Sequence, residues 1–249
     1  MKHELKDKVV IATGQSLGID DAIAKAFSQA GAKVVIASPE VAKGEQAAHE
    51  ICTSGGEAIF VPTDVSKASD VEALVDRTIA VYGRLDCAVN NAGVGRTSSL
   101  VDGSEDDWNY MIDTNLKGMW LCLKYEISQM LKNGSGAIVN VASICGIAGM
   151  SGFSIYSASK GGAIALTKAA AIEYAGVGIR INVISPGAVQ AALSEEAPPD
   201  VAERLKAGHP IGRIGKPEEI ASAALWLCSD TASFVTGHNL IIDGGYTAQ

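Results

Sequence analysis

Basic residues are scarce in this chain: 20 Lys and Arg stand against 28 Asp and Glu, for a formal net charge of −8. Phosphate-rich partners need a basic face, so nucleic acid and anionic membrane surfaces are excluded as main partners. Cysteine is sparse too. Cys52, Cys87, Cys122, Cys145 and Cys228 are odd in number and form no Cys-x-x-Cys pair. That argues against a disulfide framework or a zinc site and fits buried thiols in a reducing compartment. No apolar run reaches the ~20 residues that span a bilayer. The charged start from Met1 to Lys8 does not read as a signal peptide. No repeat, low-complexity stretch or linker divides the chain. The expectation is a cytoplasmic protein with one domain over 1–249.

What is present points to a packed α/β fold. The chain has 249 residues, 47% of them hydrophobic and 19% charged, with 27 glycines for tight turns. Short β-branched runs at 8–13, 33–37, 58–61, 86–90, 136–141, 180–184 and 239–242 read as strands. Most are nearly all apolar, as strands buried on both faces of a parallel sheet are. Helical patterns fill the gaps at 19–30, 40–54, 67–82, 104–131, 153–175 and 217–229. Ser104 with three following acids reads as a helix start, Pro217-Glu-Glu219 as another, and Gly31 as a helix stop. Strict alternation predicts a doubly wound parallel sheet of about seven strands with helices on both faces, of Rossmann type. The least regular stretch, 187–210, reads as a substrate-facing loop.

Two constellations carry chemistry. The first strand runs into a glycine-rich turn, Thr13-Gly14-Gln-Ser-Leu-Gly18, which places backbone N–H groups and a helix N-terminus against a phosphate. Plain chain reversal uses such turns as well. Ser143 lies just past a strand, Tyr156 follows, and Lys160 sits one helical turn beyond on the same face. A free phenol has a pKa near 10 and is a poor base at neutral pH. An ammonium one turn away is predicted to pull that value down, giving a group that exchanges a proton with an alcohol or ketone. Ser143 is placed to hold the substrate oxygen. A Tyr-x-x-x-Lys spacing alone also arises by chance on surface helices.

From Lys8 to the C-terminus, these motifs resemble the short-chain dehydrogenase/reductase family. Its signature is similar to Tyr156-Ser-Ala-Ser-Lys160-Gly-Gly with Ser143 upstream. The resemblance implies Ser143, Tyr156 and Lys160 as catalytic residues, joined by Asn115, which organises a proton-relay water. Read on its own, Asn115 marks a kink in a long helix. The resemblance assigns Gly14, Ser16, Leu17, Gly18 and Ile19 to the phosphate turn, and Asn91, Ala92 and Gly93 to the cofactor ribose. Asp64 and Val65 go to adenine, with a plain turn or helix cap as the local reading of Asp64. Pro186 and Gly187 go to nicotinamide with Tyr156 and Lys160, and Val189 adds backbone hydrogen bonds.

Two residues depart from the family pattern. Asp20 replaces the third turn glycine, and Ala191 replaces a threonine that contacts the carboxamide. A carboxylate about 6 Å from a phosphate costs roughly 3 kcal/mol at an effective dielectric of 20. Either Asp20 and Asp21 point to solvent and serve the helix dipole, or cofactor binding is impaired. After the second strand, Ser38 offers neither the acid that selects NAD nor the Arg that pairs the NADP phosphate, and Lys43 reads as a solvated lysine. The two acids oppose a further phosphate, which tilts the expectation towards NAD over NADP.

The substrate-lining stretches 144–153 and 188–209 are apolar or acidic, so the expected substrate is a small neutral alcohol or carbonyl compound. Cys145 and His209 read as packing or polar lining. The resemblance implies a homotetramer built through the helices at 104–131 and 153–175. The chain end resembles relatives that hold magnesium at an interface, but one carboxylate specifies no metal and none is expected. The leading function is an NAD(P)-dependent alcohol dehydrogenase or carbonyl reductase. The alternatives are a 3-oxoacyl thioester reductase and a cofactor-impaired relative acting as a binding or scaffold protein.

Overall fold

The computed structural model describes residues 5–14, 18–190 and 199–249. Seven strands appear in chain order: β1 (Val9–Thr13), β2 (Lys33–Ser38), β3 (Glu57–Pro62), β4 (Cys87–Asn90), β5 (Gly136–Val141), β6 (Ile179–Pro186) and β7 (Asn239–Ile242). They form one parallel sheet in the order β3-β2-β1-β4-β5-β6-β7. The helices are α1 (Ile19–Gln29), α2 (Val41–Thr53), α3 (Ala68–Tyr82), α4 (Glu105–Ile112), α5 (Gly118–Asn133), α6 (Ser154–Tyr174), α7 (Pro199–Ala207) and α8 (Pro217–Cys228).

Alternation along each strand feeds two cores. In β1, Val10 and Ala12 face one core with Ile23 and Phe27 of α1 and Ala221 and Ala224 of α8. Val9 and Ile11 face the other, with Leu74 of α3, Leu123 of α5 and Ala163 of α6. A sheet buried on both faces needs apolar side chains at every strand position, which is why the strands read as continuous apolar runs.

The expected caps form. Ser104 Oγ accepts from Asp107 N at 3.0 Å, the Glu219 carboxylate accepts from Lys216 N at 2.8 Å below Pro217, and Gly31 has φ +91°. Two expectations are corrected. The single helix at 104–131 is two helices joined by a π turn, Asp113–Lys117. The stretch at 187–210 contains α7, which starts at Pro199, a residue with its φ already set for a helix; its positions 191–198 lie outside the described residues.

One close approach positions the catalytic helix. The turn after β5 meets α6 at Gly146, where an added Cβ would sit 2.7 Å from the Lys160 carbonyl carbon and 2.8 Å from Gly161 N. Backbone atoms cannot yield to it. Gly146→Ala is expected to destabilise the fold by about 1–3 kcal/mol, as overpacking does, and to lower kcat. Thermal unfolding with steady-state kinetics checks this, and a variant unchanged in both would remove Gly146 from the argument.

Candidate active site

β1 pairs with β2 on one side and β4 on the other, so the chain winding reverses between β1 and β4. Ligands bind at the carboxyl ends of strands beside such a reversal. A cleft of about 500 Å³ opens there, lined by Ile19, Asn91, Gly93, Ser143, Tyr156, Lys160, Pro186, Gly187 and Val189. Nine of the residues expected from the sequence therefore meet in one place. The apolar side chains of Val94 and Phe153 also line it, and Phe153 packs edge-on against Tyr156 with ring centroids 6.1 Å apart.

The catalytic group is built from three elements. The end of β5 supplies Val141, whose carbonyl accepts from Lys160 Nζ at 3.0 Å. The following turn supplies Ser143, whose hydroxyl is a hydrogen-bonding neighbour that draws the Tyr156 phenol down and accepts from Cys145 N at 3.2 Å. On α6, Tyr156 and Lys160 stand one turn apart, with Nζ 5.7 Å from the phenol ring centroid.

Asn115 sits in the π turn and is wholly buried. Its Nδ2 donates to Val94 O at 2.8 Å and Ser159 Oγ at 3.0 Å, and its Oδ1 accepts from Val94 N at 2.8 Å. The kink read from the sequence is real, and its bonds tie the loop after β4 to α6.

The expected sign of the tyrosine shift is overturned. Burial pushes the Tyr156 phenol up to about 12, and the Ser143 bond offsets only part of that. Burial also pushes Lys160 down to about 8. Spacing put a charge beside the phenol, but the interior desolvates both groups, and for the phenol the loss of water is the larger effect. The protein's own groups therefore hold Tyr156 as a proton donor at neutral pH.

At the glycine turn, Gly14 N donates to Ala37 O at 2.9 Å and Gly18 has φ +81°. Ser16 and Leu17 lie outside the described residues. Asp20 is partly exposed, and its side chain lies against Gly14, where an added Cβ would overlap the Asp20 Cβ and carboxylate. Asp21 is half-exposed and bonds Lys25 at 2.8 Å. Asp20, Asp21, Ser38, Lys43 and Glu50 line one hollow beside the turn, and Lys43 is exposed there, as the solvated reading had it. Ser38 Oγ accepts from Glu40 N at 3.1 Å.

Other expected residues also make scaffold contacts. Asp64 accepts from Ser66 N and Oγ at 3.1 and 2.7 Å and pairs with Lys67, the turn role its local reading gave. Val65 is buried against Val71 and Leu121. Ala92 N donates to Thr13 Oγ1 at 3.3 Å, a strand-end link that sequence reading missed. His209 accepts from Ala188 N at 3.1 Å through Nε2 and donates to Leu205 O at 2.6 Å through Nδ1, fixing α7 to the turn after β6. Burial pushes the Cys145 thiol up, so it is no nucleophile. Gln249 Nε2 donates to Gly208 O at 3.1 Å. Among the described residues no cluster of metal-ligating side chains occurs, and no helix is long and apolar enough to cross a membrane.

The lysine shift has a consequence for stability. Lys160 has a folded value of about 8 against 10.5, so as pH falls through that window the unfolded chain gains a proton before the folded one does, and stability is lost. Removing the group should recover on the order of 3 kcal/mol at neutral pH. Lys160→Met is expected to melt several degrees higher at pH 7 while losing kcat by about 10²–10⁴-fold. Calorimetry beside kinetics checks both signs, and a destabilised variant would contradict the buried-amine account.

Comparison with known proteins agrees with this geometry. A family model described as enoyl-(acyl carrier protein) reductase matches residues 12–247. The cis-4-hydroxycyclohexanecarboxylate dehydrogenase of Sinomonas cyclohexanicum is 42% identical over 100% of both chains. The cyclohexanol dehydrogenase of Acinetobacter sp. (strain SE19) is 39% identical over 100% of this chain and 98% of its own. The 3-oxoacyl-(acyl-carrier-protein) reductase of Chlamydia muridarum is 40% identical over 98% and 99%. The crystal structure of a short-chain type dehydrogenase/reductase from Mycobacterium marinum superposes with a TM-score of 0.91 at 31% identity, covering 98% of this chain and 97% of that one. A match of this length, on a sheet whose strand ends gather Ser143, Tyr156 and Lys160 in one cleft, makes the chain a member of the short-chain dehydrogenase/reductase family and an NAD(P)-dependent oxidoreductase of the alcohol dehydrogenase type.

Proposed function

We propose that the chain interconverts a neutral, largely apolar secondary alcohol of the cycloalkanol type with its ketone, preferring NAD(H) over NADP(H). The observation that carries this reading is the meeting of Ser143, Tyr156 and Lys160 in one cleft at the strand ends. In ketone reduction, Tyr156 Oη gives its proton to the substrate oxygen, and in alcohol oxidation it takes that proton back. Ser143 Oγ holds the same oxygen and eases its developing charge. Lys160, anchored on Val141 O, steadies the phenolate, and Asn115 keeps the loop at Val94 in place. A bound nicotinamide supplies the hydride acceptor or donor and, when oxidised, a positive ring that favours the phenolate.

The residues fit such a group. Asn91, Gly93, Pro186, Gly187 and Val189 wall the cleft beside Lys160, and a Cβ on Gly93 would lie 3.1 Å from Lys160 Nζ, so the backbone there is bare for a flat ring. Towards the other end, Gly14, Gly18 and Ile19 hold the phosphates with Ser16 and Leu17. Asp64 and Val65 flank adenine. The hollow at Ser38 is lined by Asp20, Asp21, Glu50 and Lys43, and Lys25 pairs with Asp21 and Glu50, so acids outnumber cations there, and this balance disfavours the further phosphate of NADP.

Neutral substrates suit the mouth of the cleft. Arg96 lines it, but its guanidinium bonds Asp107 and stacks on Tyr110 at 4.4 Å, so its charge is cancelled. The 3-oxoacyl thioester reading shares every catalytic residue. It requires a basic patch for an acidic carrier, which the overall charge disfavours. The working assembly is a homotetramer in the cytoplasm, each chain a single domain. Its interfaces cover Trp108, Trp120 and Ile172, the last 81% exposed in the single chain.

Fluorescence titration with NADH and NADPH, followed by assays on cyclohexanol, cyclohexanone and an acetoacetyl thioester, tests the reading. NADH is expected to bind more tightly than NADPH. Asp20→Gly should tighten both, by up to a hundredfold if the carboxylate opposes a phosphate at about 6 Å. Tyr156→Phe should bind NADH normally and lose about 10²–10⁴ in kcat. Faster turnover of the thioester than of cyclohexanone would replace this reading with the reductase one. Failure of both cofactors to bind until Asp20 is removed would favour the impaired relative.

A further inference from the structure

Beneath the catalytic residues lies a buried polar cluster that no step above uses. Glu126 on α5 is 1% exposed. Its Oε2 accepts from Asn90 Nδ2 at 2.9 Å. The same Nδ2 donates to Asn140 Oδ1 at 3.0 Å. Asn140 Nδ2 donates to Thr167 Oγ1 at 2.8 Å, and Thr167 donates to Ala163 O at 2.8 Å. The cluster thus links α5, β4, β5 and the catalytic helix α6. Asn90 directly precedes Asn91 of the cleft, and Asn140 directly precedes Val141, the acceptor for Lys160.

The hydrogen count does not close. Asn90 Oδ1 and Glu126 Oε1 are both buried acceptors without a partner. Two oxygens that only accept leave a cluster short of a donor, and a buried acceptor left unmade costs about 1–3 kcal/mol. A carboxylate that takes up one proton becomes a donor.

We propose that Glu126 is a positioning residue that works as a protonated carboxylic acid: its O–H supplies the donor that the cluster lacks, and its ionisation slackens the strut between the strand ends and α6. Burial raises its pKa from 4.5 to about 7, which agrees with the donor count. No cation faces it. β4 and β5 present Asn90 and Asn140, and the buried face of α3 is Val71, Leu74, Val75 and Thr78. Lys160, the cation on the buried face of α6, is directed to Val141 O. The titratable neighbour is the thiol of Cys122 on the same helix, itself pushed well up by burial and by Glu126.

The sign follows. A folded value above the unfolded one means that stability is complete at low pH and falls as pH rises towards about 7. Glu126→Gln keeps the shape and a permanent donor, so it has nothing to lose. Infrared spectra of the whole protein, recorded against pH, should show a protonated-carboxyl band in wild type that fades near neutrality and is absent from Glu126→Gln. The ratio of variant to wild-type kcat should rise severalfold between about pH 6 and pH 8.5, and the melting temperature of the variant should overtake that of wild type across the same range. No such band, or a band that persists unchanged, overturns the protonated state. A pH-independent kcat ratio overturns the positioning role even where the band is present. Were Glu126→Gln not to fold, Glu126→Met would assign the band in the same way, and the kcat ratio would be read against Asn140→Asp, which strains the same strut without touching Glu126.

Discussion

The hydrogen bond from Lys160 to the carbonyl of Val141 is the constraint on which the site depends. It takes an ammonium group out of water and sets it against the last residue of β5, a strand buried on both faces. The rest of the local design follows from that placement. α6 must come close enough for the bond to form, which requires glycine at 146. The loop after β4 must be held off the same space, which Asn115 does through Val94 and Ser159. The phenol of Tyr156 is drawn into the same dry region, and its proton becomes hard to remove. The interior thus makes the lysine a weaker base and the tyrosine a weaker acid at once. Positive charge brought by a bound partner is worth more in such a place than in water.

This arrangement keeps stability and chemistry in tension. A buried amine, a buried carboxyl and a raised phenol all lie within the part of the molecule that is otherwise best packed. Hydrophobic replacements would make a firmer core. Their persistence at the strand ends, where the ligand cleft opens, fits the general pattern of titratable groups gathered where function needs them. The opposite end of the sheet shows the contrast. There Arg180 donates to the carbonyls of Leu227 and Ser229, and Asp86 accepts from Val9 N and Arg84, so each of these charges has hydrogen-bond partners.

Much of this was legible in the sequence. Strands buried on both faces are apolar at consecutive positions, so their order and number could be read, and the spacing of Ser143, Tyr156 and Lys160 survives translation into geometry. What could not be read depends on burial or on partners distant in the chain. Asn115 hinted at a kink, but the π turn itself could not be read, because its bonds go to Val94 and Ser159, far off in the chain. α7 hid behind two prolines and a run of acids. The direction of the tyrosine shift was misjudged because spacing gives distance to a charge but not the loss of water around it. Glu126 drew no reading at all and Asp20 left two open, since neither the strand pair above the first nor the bare Gly14 beside the second is a local property.

The π turn also carries a consequence in terms of chain length. A π turn holds one residue more than a regular helix would use over the same rise. Deleting a single residue between 113 and 117 would let α4 run straight into α5 with both helices keeping their faces, so Met119, Leu123 and Met130 would stay in the core that they fill. What would be lost is the wide turn that carries Asn115 to Val94 and Ser159. The packing of α5 and the anchoring of the active-site loop are therefore separable: the one extra residue serves the loop and not the helix core.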